Sequence, residues 1–285
     1  MASYENSTRN YLLDALSDAD LKRLLPQLEL IPLPLGKVLY DPGTIMRHVY
    51  FPVTCVVSLL CVMENGATAE IGVIGREGMV GMNLLLGGDT SPNQAIVQST
   101  GYAYRARANV LREEFQRNPE LQTLLLKYAQ TLMSQMAQTA VCNRHHTVDQ
   151  QLCRWLLTSL DRLPSNELII TQEFIAHMLG VRREGITGAA GKLQRAGIIS
   201  YRRGRINIVD RDGLEAHACE CYKIVKKEYE RLLPVPLAAT AAAKPTTVWA
   251  TGTSGKPNGF GGEPRRPHAH TPPLSAPSSS ISAPL

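Results

Sequence analysis

Residues 171–193 read TQEFIAHMLGVRREGITGAAGKL, and this stretch decides the fold of the second half of the chain. Thr171 is a favourable N-cap residue for a first helix, and Gly180 allows a tight turn after it, since glycine adopts positive φ at little cost. A second helix is predicted over 183–195, and Gly197 is a favourable residue just beyond its end. The side chains predicted to pack between the helices are Phe174, Ile175, Met178, Leu179, Val181, Ile186, Ala190 and Leu193. The stretch therefore predicts a helix-turn-helix.

A basic hairpin follows the second helix. Strands are predicted over 198–201 and 206–209, on either side of the sequence RRGR at 202–205. An amphipathic helix over 148–162 and a short strand over 168–170 come before the motif. This order predicts a winged helix-turn-helix, whose second helix enters the DNA major groove. Between residues 182 and 211 the chain carries eight basic and two acidic residues, which favours DNA as the partner.

The predicted contacts with DNA divide into two groups. Base-reading contacts are assigned to Arg182, Arg183, Glu184, Thr187 and Gly188. Contacts with the DNA backbone are assigned to Thr171, Lys192, Arg202, Arg203 and Arg205. Arginine pairs with guanine and glutamate accepts from cytosine, whereas the basic hairpin suits phosphates. The alternatives are a solvated helical hairpin with surface arginines, and a signal- or ligand-binding protein whose helix-turn-helix docks on protein.

The first half of the chain predicts a different kind of domain. Residues 1–149 carry 12 basic and 14 acidic groups, so the excess positive charge lies in the second half. A helix is predicted over 11–30. Beyond it, as far as residue 107, short apolar runs alternate with turn signals such as DPG at 41–43 and ENG at 64–66. Many short strands at this spacing predict a β-sandwich or barrel, interrupted by one short helix over 79–86.

A long helix is predicted over 120–146. One of its faces carries Leu125, Tyr128, Leu132 and Met136. Lys127 is the only charged residue between positions 121 and 142, whereas an exposed single helix would carry more charge. The apolar stripe therefore packs either on the helix's own domain or on a second copy of the helix, and a homodimer is the favoured interpretation.

The combination of a many-stranded domain, a long uncharged helix and a winged helix-turn-helix resembles the Crp/Fnr regulators over about residues 11–222. The closest match covers residues 171–193, with the sequence LGVRRE at 179–184 at its centre. The resemblance implies an α+β chain with a jelly-roll-like β-roll sensor, a homodimer through the long helix, and a near-palindromic double-stranded DNA operator. It places the family's Arg-Glu reading pair on Arg183 and Glu184, and a third reading position, often arginine, on Gly188. RNA polymerase and a small effector of unknown identity are further expected partners. A cytoplasmic location is predicted because the scattered cysteines suit a reducing cytosol.

The resemblance predicts a degenerate effector pocket at Gly81, Met82, Asn93 and Gln94. Family members that bind cyclic nucleotides have a glutamate for the ribose hydroxyl and an arginine for the phosphate. Those positions hold Met82 and Asn93 here, and a buried phosphate without its arginine is poorly compensated. Cyclic AMP and cyclic GMP are therefore not expected to bind, which calorimetry would test. No cysteine precedes Cys55, which argues against the N-terminal iron–sulfur ligands of the oxygen-sensing branch.

The predicted domain boundaries follow from these patterns. Residues 1–147 form the cyclic-nucleotide-binding-like sensor with the dimerisation helix, residues 148–222 the winged helix-turn-helix, and residues 223–233 a C-terminal helical extension. In the tail, 234–285, 36 of 52 residues are Pro, Ala, Ser, Thr or Gly. Such a composition buries too little apolar surface to offset the entropy of ordering, so the tail is predicted to be disordered.

Several other classes of protein are not expected. No apolar run approaches the roughly 18 residues of a membrane span, and the first residues lack the pattern of a secretory signal. The six scattered cysteines do not suggest a disulfide scaffold. No convergent catalytic set is present, so an enzyme is not predicted. A metal site formed by His217, Cys219 and Cys221 is not favoured, because on one helix Cys219 would point away from the other two. Neither a metal nor a cofactor is predicted.

Overall fold

The computed structural model describes residues 8–163 and 165–234, so the predicted disordered tail lies, apart from its first residue, outside the described residues. The helices are α1 (Tyr11–Asp14), α2 (Asp18–Leu24), α3 (Ala108–Arg117), α4 (Pro119–His145), α5 (Val148–Leu160), α6 (Gln172–Leu179), α7 (Arg183–Arg195), α8 (Arg211–His217) and α9 (Glu220–Leu232). The strands are β1 (Glu29–Leu33), β2 (Val38–Tyr40), β3 (His48–Pro52), β4 (Val56–Val62), β5 (Thr68–Ile74), β6 (Gln94–Ser99), β7 (Gly101–Arg107), β8 (Glu167–Ile169), β9 (Ile199–Arg202) and β10 (Arg205–Ile208).

The N-terminal domain is built from two antiparallel sheets around one apolar core. The strand orders are β1-β7-β3 and β2-β6-β4-β5. The many-stranded prediction is therefore confirmed. The predicted helix over 11–30 is wrong, because Ser17 caps a separate second helix and residues Glu29–Leu33 pair with β7 instead. The short helix predicted over 79–86 is reduced to a 3₁₀ turn, Met82–Leu84.

Strand β4 is buried on both faces, and this joins the two halves of the described chain. Val57 and Leu59 lie in the core of the β domain. Val56 and Leu60 face the other way and pack in a second core that contains Trp155 of α5. A strand that is covered on both faces has a nearly continuous run of apolar residues in its sequence, and residues 56–63 show this pattern. The C-terminal half therefore packs directly on a sheet of the β domain.

The predicted apolar stripe on α4 packs against the β domain of its own chain. Leu125, Tyr128 and Leu132 are buried against the β domain, and Met136 is half-buried. The Tyr128 hydroxyl donates to the Met79 carbonyl oxygen at 3.1 Å. Two interpretations of this stripe were open, and in the described residues it packs on the helix's own domain.

A second, exposed stripe runs along α4, about a third of a turn around the helix from the buried stripe. It consists of Leu126, Gln130, Met133, Ala137 and Ala140. The spacing alternates between four and three residues, which is the a/d pattern of a coiled coil. None of these side chains is charged.

Helix α9 crosses the predicted boundary between residues 222 and 223. It is continuous from Glu220 to Leu232, and its inner residues Val225 and Tyr229 pack in the core of the β domain. The C-terminal extension is thus part of a helix that begins near the winged helix-turn-helix and ends against the β domain. Helix α8, which precedes α9, is not among the predicted elements.

A buried polar network also crosses between the β sheet and α5. The Ser58 hydroxyl donates to Glu70 Oε2 at 2.6 Å, and Gln98 Nε2 donates to the Ser159 hydroxyl at 2.8 Å. Burial raises the pKa of Glu70 to about 7, against the opposing effects of the Ser58 hydrogen bond and the nearby Arg154 guanidinium. The ordinary pKa of glutamate is about 4.3, so the folded protein keeps a proton that the unfolded chain loses.

The raised pKa of Glu70 predicts that its contribution to stability falls as the pH rises from about 5 to about 8. Between the unfolded and folded pKa values the folded state binds more protons, so the free energy of unfolding decreases with pH and levels off above the folded value. We expect Glu70→Gln, which cannot ionise, to gain up to about 3 kcal/mol relative to the wild type over this interval. Urea unfolding at several pH values measures this difference in the free energy of unfolding. Glu64→Gln, on the surface, is the control. Parallel stability curves for the wild type and Glu70→Gln would contradict it.

Candidate nucleic-acid interface

The helix-turn-helix forms where the sequence predicted it. Thr171 caps α6, and its side-chain oxygen accepts from the Phe174 backbone N–H at 3.2 Å. Gly180 ends α6 in the left-handed conformation with φ of +64°, which a side chain would strain. Ile186 and Leu193 hold the inner side of α7 in the second core. Local capping and packing therefore fix the direction of α7.

The outer side of α7 is open to solvent. The predicted base-reading residues Arg182, Arg183, Glu184, Thr187 and Gly188 are all exposed. The Thr187 hydroxyl lies 2.7 Å from Gln172 Oε1, which links α7 to the first turn of α6. A Cβ atom added to Gly188 would meet nothing within 4 Å. The first two turns of α7 thus offer an uncovered surface with room for a larger side chain at Gly188.

The wing is a tight hairpin with an arginine at its tip. Strands β9 and β10 pair antiparallel, with Arg202 opposite Arg205. The two residues between the strands, Arg203 and Gly204, have φ of +50° and +73°. Such two-residue turns require positive φ at both positions and usually hold Asn, Asp or Gly. Arginine in this conformation costs about 1–2 kcal/mol, so the tip keeps a positive charge at a cost in stability.

Two of the predicted phosphate-contacting side chains are engaged in ion pairs. Lys192 Nζ lies 2.7 Å from Asp149 Oδ2, and Arg205 Nη1 lies 3.2 Å from Glu167 Oε1. Exposed ion pairs of this kind contribute about 0–1 kcal/mol, so a phosphate can replace the acidic partner. Among the described residues, no ion pair involves Arg183 or Arg203.

The four predicted residues of the effector pocket contact different partners. Gly81 precedes the 3₁₀ turn in a left-handed conformation, and Met82 is buried in the core of the β domain. The Asn93 side-chain oxygen accepts from the Cys61 thiol at 3.4 Å. Gln94 Nε2 donates to Asp41 Oδ1 at 2.7 Å. The degenerate pocket stays a prediction, and Met82 occupies space in the core rather than presenting a polar group.

One constellation dismissed on the sequence has a different geometry in the structure. His217 belongs to α8, where its ring Nδ1 lies 2.8 Å from the Gly213 carbonyl oxygen. Cys219 is the N-cap of α9 and Cys221 lies in its first turn. The three residues therefore do not share one helix, and the prediction of a single helix over them is wrong. The two cysteines instead converge on the C-terminal end of α4, an arrangement that depends on packing between distant helices.

Comparison with family models identifies both halves of the chain. Residues 30–118 match the cyclic nucleotide-binding domain, and residues 150–217 match the Crp-like helix-turn-helix domain. A comparison with curated proteins gave no significant match. Within the described residues, no helix is long and apolar enough to cross a membrane.

Solved structures share the fold at low sequence identity. FixK2 from Bradyrhizobium japonicum has a TM-score of 0.59 at 15% identity, covering 67% of this chain and 98% of its own. The c-di-GMP responsive global regulator CLP of Xanthomonas campestris gives 0.55 at 18% identity, with 67% and 99% covered. A CRP/FNR-family transcriptional regulator from Thermus thermophilus gives 0.54 at 21% identity, with 67% and 98% covered. At these identities the likeness shows the fold.

The fold and the two matched domains define a DNA-binding protein with a ligand-sensor type of β domain. The order of these domains, joined by a long helix, is that of the regulators described above. The chain belongs to the Crp/Fnr family of transcription regulators, and its sensor domain is cyclic nucleotide-binding-like.

Proposed function

We propose that this regulator binds a near-palindromic operator as a homodimer and reads one half-site with each copy of α7. The observation that carries the proposal is the uncovered N-terminal part of α7 beside a hairpin whose tip holds Arg203 in a strained conformation. Exposed arginine and glutamate at the start of a reading helix suit base edges. An arginine at the hairpin tip that has no ion pair within the described part of the chain suits a phosphate.

The proposed dimer forms through the exposed stripe of α4 defined by Leu126, Gln130, Met133, Ala137 and Ala140. The stripe extends over four helical turns of uncharged side chains in one chain. A second copy of α4 is the occupant that satisfies the a/d spacing in a symmetric way. Dimer symmetry then requires half-sites about 10 base pairs apart.

The other partners follow from the family. We expect the regulator to work in the cytoplasm, where its operator and RNA polymerase are located. The sensor domain is expected to respond to a signal other than a cyclic nucleotide, because Met82 is buried and Asn93 contacts Cys61. The proposed domain boundaries place the sensor, including α4, before residue 148 and the winged helix-turn-helix over residues 148–222.

The roles of α7 and the wing predict two different defects. Arg183→Ala should relax base preference at one symmetric pair of positions, since a good bidentate contact gives about 1–3 kcal/mol of discrimination. Arg203→Ala should weaken binding to all duplexes and reduce the salt slope by about one unit per copy. Selection of bound sequences from random duplexes, with binding measured at several salt concentrations, separates the two. Lys37→Ala, exposed on the β domain, is the matched control.

The outcomes distinguish the proposal from its competitor. A changed sequence preference in Arg203→Ala, with an unchanged preference in Arg183→Ala, would reverse the assigned roles. Wild-type protein that recovers no palindrome and shows no salt dependence would favour the alternative in which the helix-turn-helix docks on another protein, because backbone contacts with DNA release counterions.

A further inference from the structure

Four metal-binding side chains converge where α4 meets α9. Cys142 and His146 lie one turn apart at the C-terminal end of α4, and Cys219 and Cys221 lie at the start of α9. Their candidate ligand atoms all lie within 4.8 Å of one another. The two pairs are separated by more than seventy residues in the chain, so only the packing of α9 on α4 brings them together.

Two of the six separations between ligand atoms are close to those of a tetrahedral site. Cys142 Sγ lies 3.6 Å from Cys219 Sγ, and Cys221 Sγ lies 3.4 Å from His146 Nδ1. Zinc binds thiolate sulfur at about 2.3 Å and imidazole nitrogen at about 2.0–2.1 Å, so a regular tetrahedron has edges of about 3.8 Å between sulfurs and about 3.6 Å between sulfur and nitrogen. Both observed separations are within about 0.2 Å of these values.

We propose that Cys142, His146, Cys219 and Cys221 form a structural Zn²⁺ site. Three thiolates and one imidazole are a complete ligand set for structural zinc and leave no open position for a substrate. Calcium and magnesium prefer oxygen ligands, which this set does not offer. Binding of Zn²⁺ forms three Zn–S bonds and one Zn–N bond, and the three thiols release their protons to solvent.

The surroundings of the four side chains are those of a supported metal site. The three cysteines are at most 4% exposed. Gln138 Nε2 donates to Cys221 Sγ at 3.1 Å, and His146 Nε2 lies 3.4 Å from Glu220 Oε2. A carboxylate on the outer nitrogen of a zinc-bound histidine fixes the ring and raises its basicity.

The electrostatic balance also fits. Zn²⁺ with three thiolates and a neutral imidazole carries one net negative charge. The buried guanidinium of Arg154 faces Cys142 and supplies a positive charge next to the site. Arg154 Nη1 also donates to the Thr139 hydroxyl of α4 at 3.4 Å, which holds the guanidinium beside the helix end.

The site would fasten the C-terminal helix to the junction between the two domains. His146 is followed at once by Thr147, the N-cap of α5, so the metal would sit where α4 passes into the winged helix-turn-helix. It would hold α9 against α4 at the point where the orientation of the DNA-binding domain is set. Metal loss is expected to lower the melting temperature of the full chain.

The metal content of the full chain tests the proposal. The protein is purified reduced and without chelator, and its metals are measured by mass spectrometry. We expect about one zinc per chain in the wild type and in Cys61→Ser, whose cysteine lies outside the cluster, and near-complete loss in Cys142→Ser and Cys219→Ser. Cobalt added to the reduced apoprotein should give the visible absorption of tetrahedral Co²⁺ with sulfur charge-transfer bands.

Several outcomes would overturn the zinc site. One is that the reduced wild-type protein binds neither zinc nor cobalt. Another is that the protein as isolated contains a stoichiometric amount of a metal other than zinc. The third is that the variant with both Cys142 and Cys219 replaced retains zinc. If the serine variants fail to fold, the cobalt spectrum of the wild type decides alone, since an octahedral spectrum without sulfur bands contradicts the ligand set. None of these measurements depends on DNA binding.

Discussion

Replacing Arg162 by methionine is expected to lower the free energy of unfolding by about 3–5 kcal/mol, since it leaves a buried carboxylate without its partner. Arg162 Nε donates to Glu77 Oε1 at 2.6 Å, and both side chains are almost completely buried. The guanidinium also donates to the Thr158 carbonyl oxygen at 2.8 Å and lies over the Tyr229 ring at 5.4 Å. Methionine keeps much of the apolar stem but offers no charge to Glu77.

Urea unfolding followed by circular dichroism measures this effect. Arg231→Met is the matched control, because Arg231 pairs with Glu228 on the surface of α9 and such pairs contribute about 0–1 kcal/mol. The double variant Glu77→Gln/Arg162→Met should recover part of the loss, since it removes the uncompensated charge. Equal losses for Arg162→Met and Arg231→Met would contradict the importance assigned to the buried pair.

The Glu77–Arg162 pair also matters because it connects the two domains. Glu77 follows β5 of the sensor, and Arg162 follows α5 of the DNA-binding half. A Cβ added to Gly75 would lie 2.5 Å from Arg162 Cβ, so the backbone of the sensor approaches Arg162 closely. The contact is therefore specific in shape as well as charge.

The helix-turn-helix was predictable because its signals are local. The bounds of α7, Arg183–Arg195, agree with the prediction, since Gly180 and Gly197 mark the preceding turn and the end of the helix within a few residues of sequence. The prediction that Ile175, Ile186 and Leu193 pack inside the motif is confirmed, because all three are buried. Capping and turn chemistry need no knowledge of the rest of the chain.

The parts that the sequence did not reveal depend on distant contacts. Both sides of α4 are uncharged, so periodicity alone could not tell that Leu125 faces its own domain while Leu126 faces outward. The convergence of Cys142 with Cys219 requires α9 to pack on α4, which no local pattern encodes. Strand β1 forms because β7 is available to pair with it, against the helical pattern of the residues before it.

Replacing Met133 by glutamate is expected to convert the proposed dimer into monomers. Met133 is 58% exposed in one chain and lies at the centre of the exposed stripe of α4. In a symmetric coiled coil the two glutamates would face each other across an apolar seam, and an unpaired charge buried there is strongly destabilising. The fold of each chain should persist, because the position is outside both cores, whereas Leu132→Glu would place a charge inside the β domain.

Loss of the dimer should weaken operator binding by about 10²–10⁴-fold, since two linked half-site contacts become one. Light scattering gives the mass in solution, and a gel-shift titration with the selected operator gives the affinity. Ile45→Glu is the matched control, because Ile45 is 71% exposed on the β domain and pairs with Thr90 of the same domain. It should remain dimeric and bind the operator normally. A Met133→Glu protein that stays dimeric would place the interface elsewhere on the chain, whereas a monomer with undiminished affinity would show that one copy of α7 is enough for operator binding.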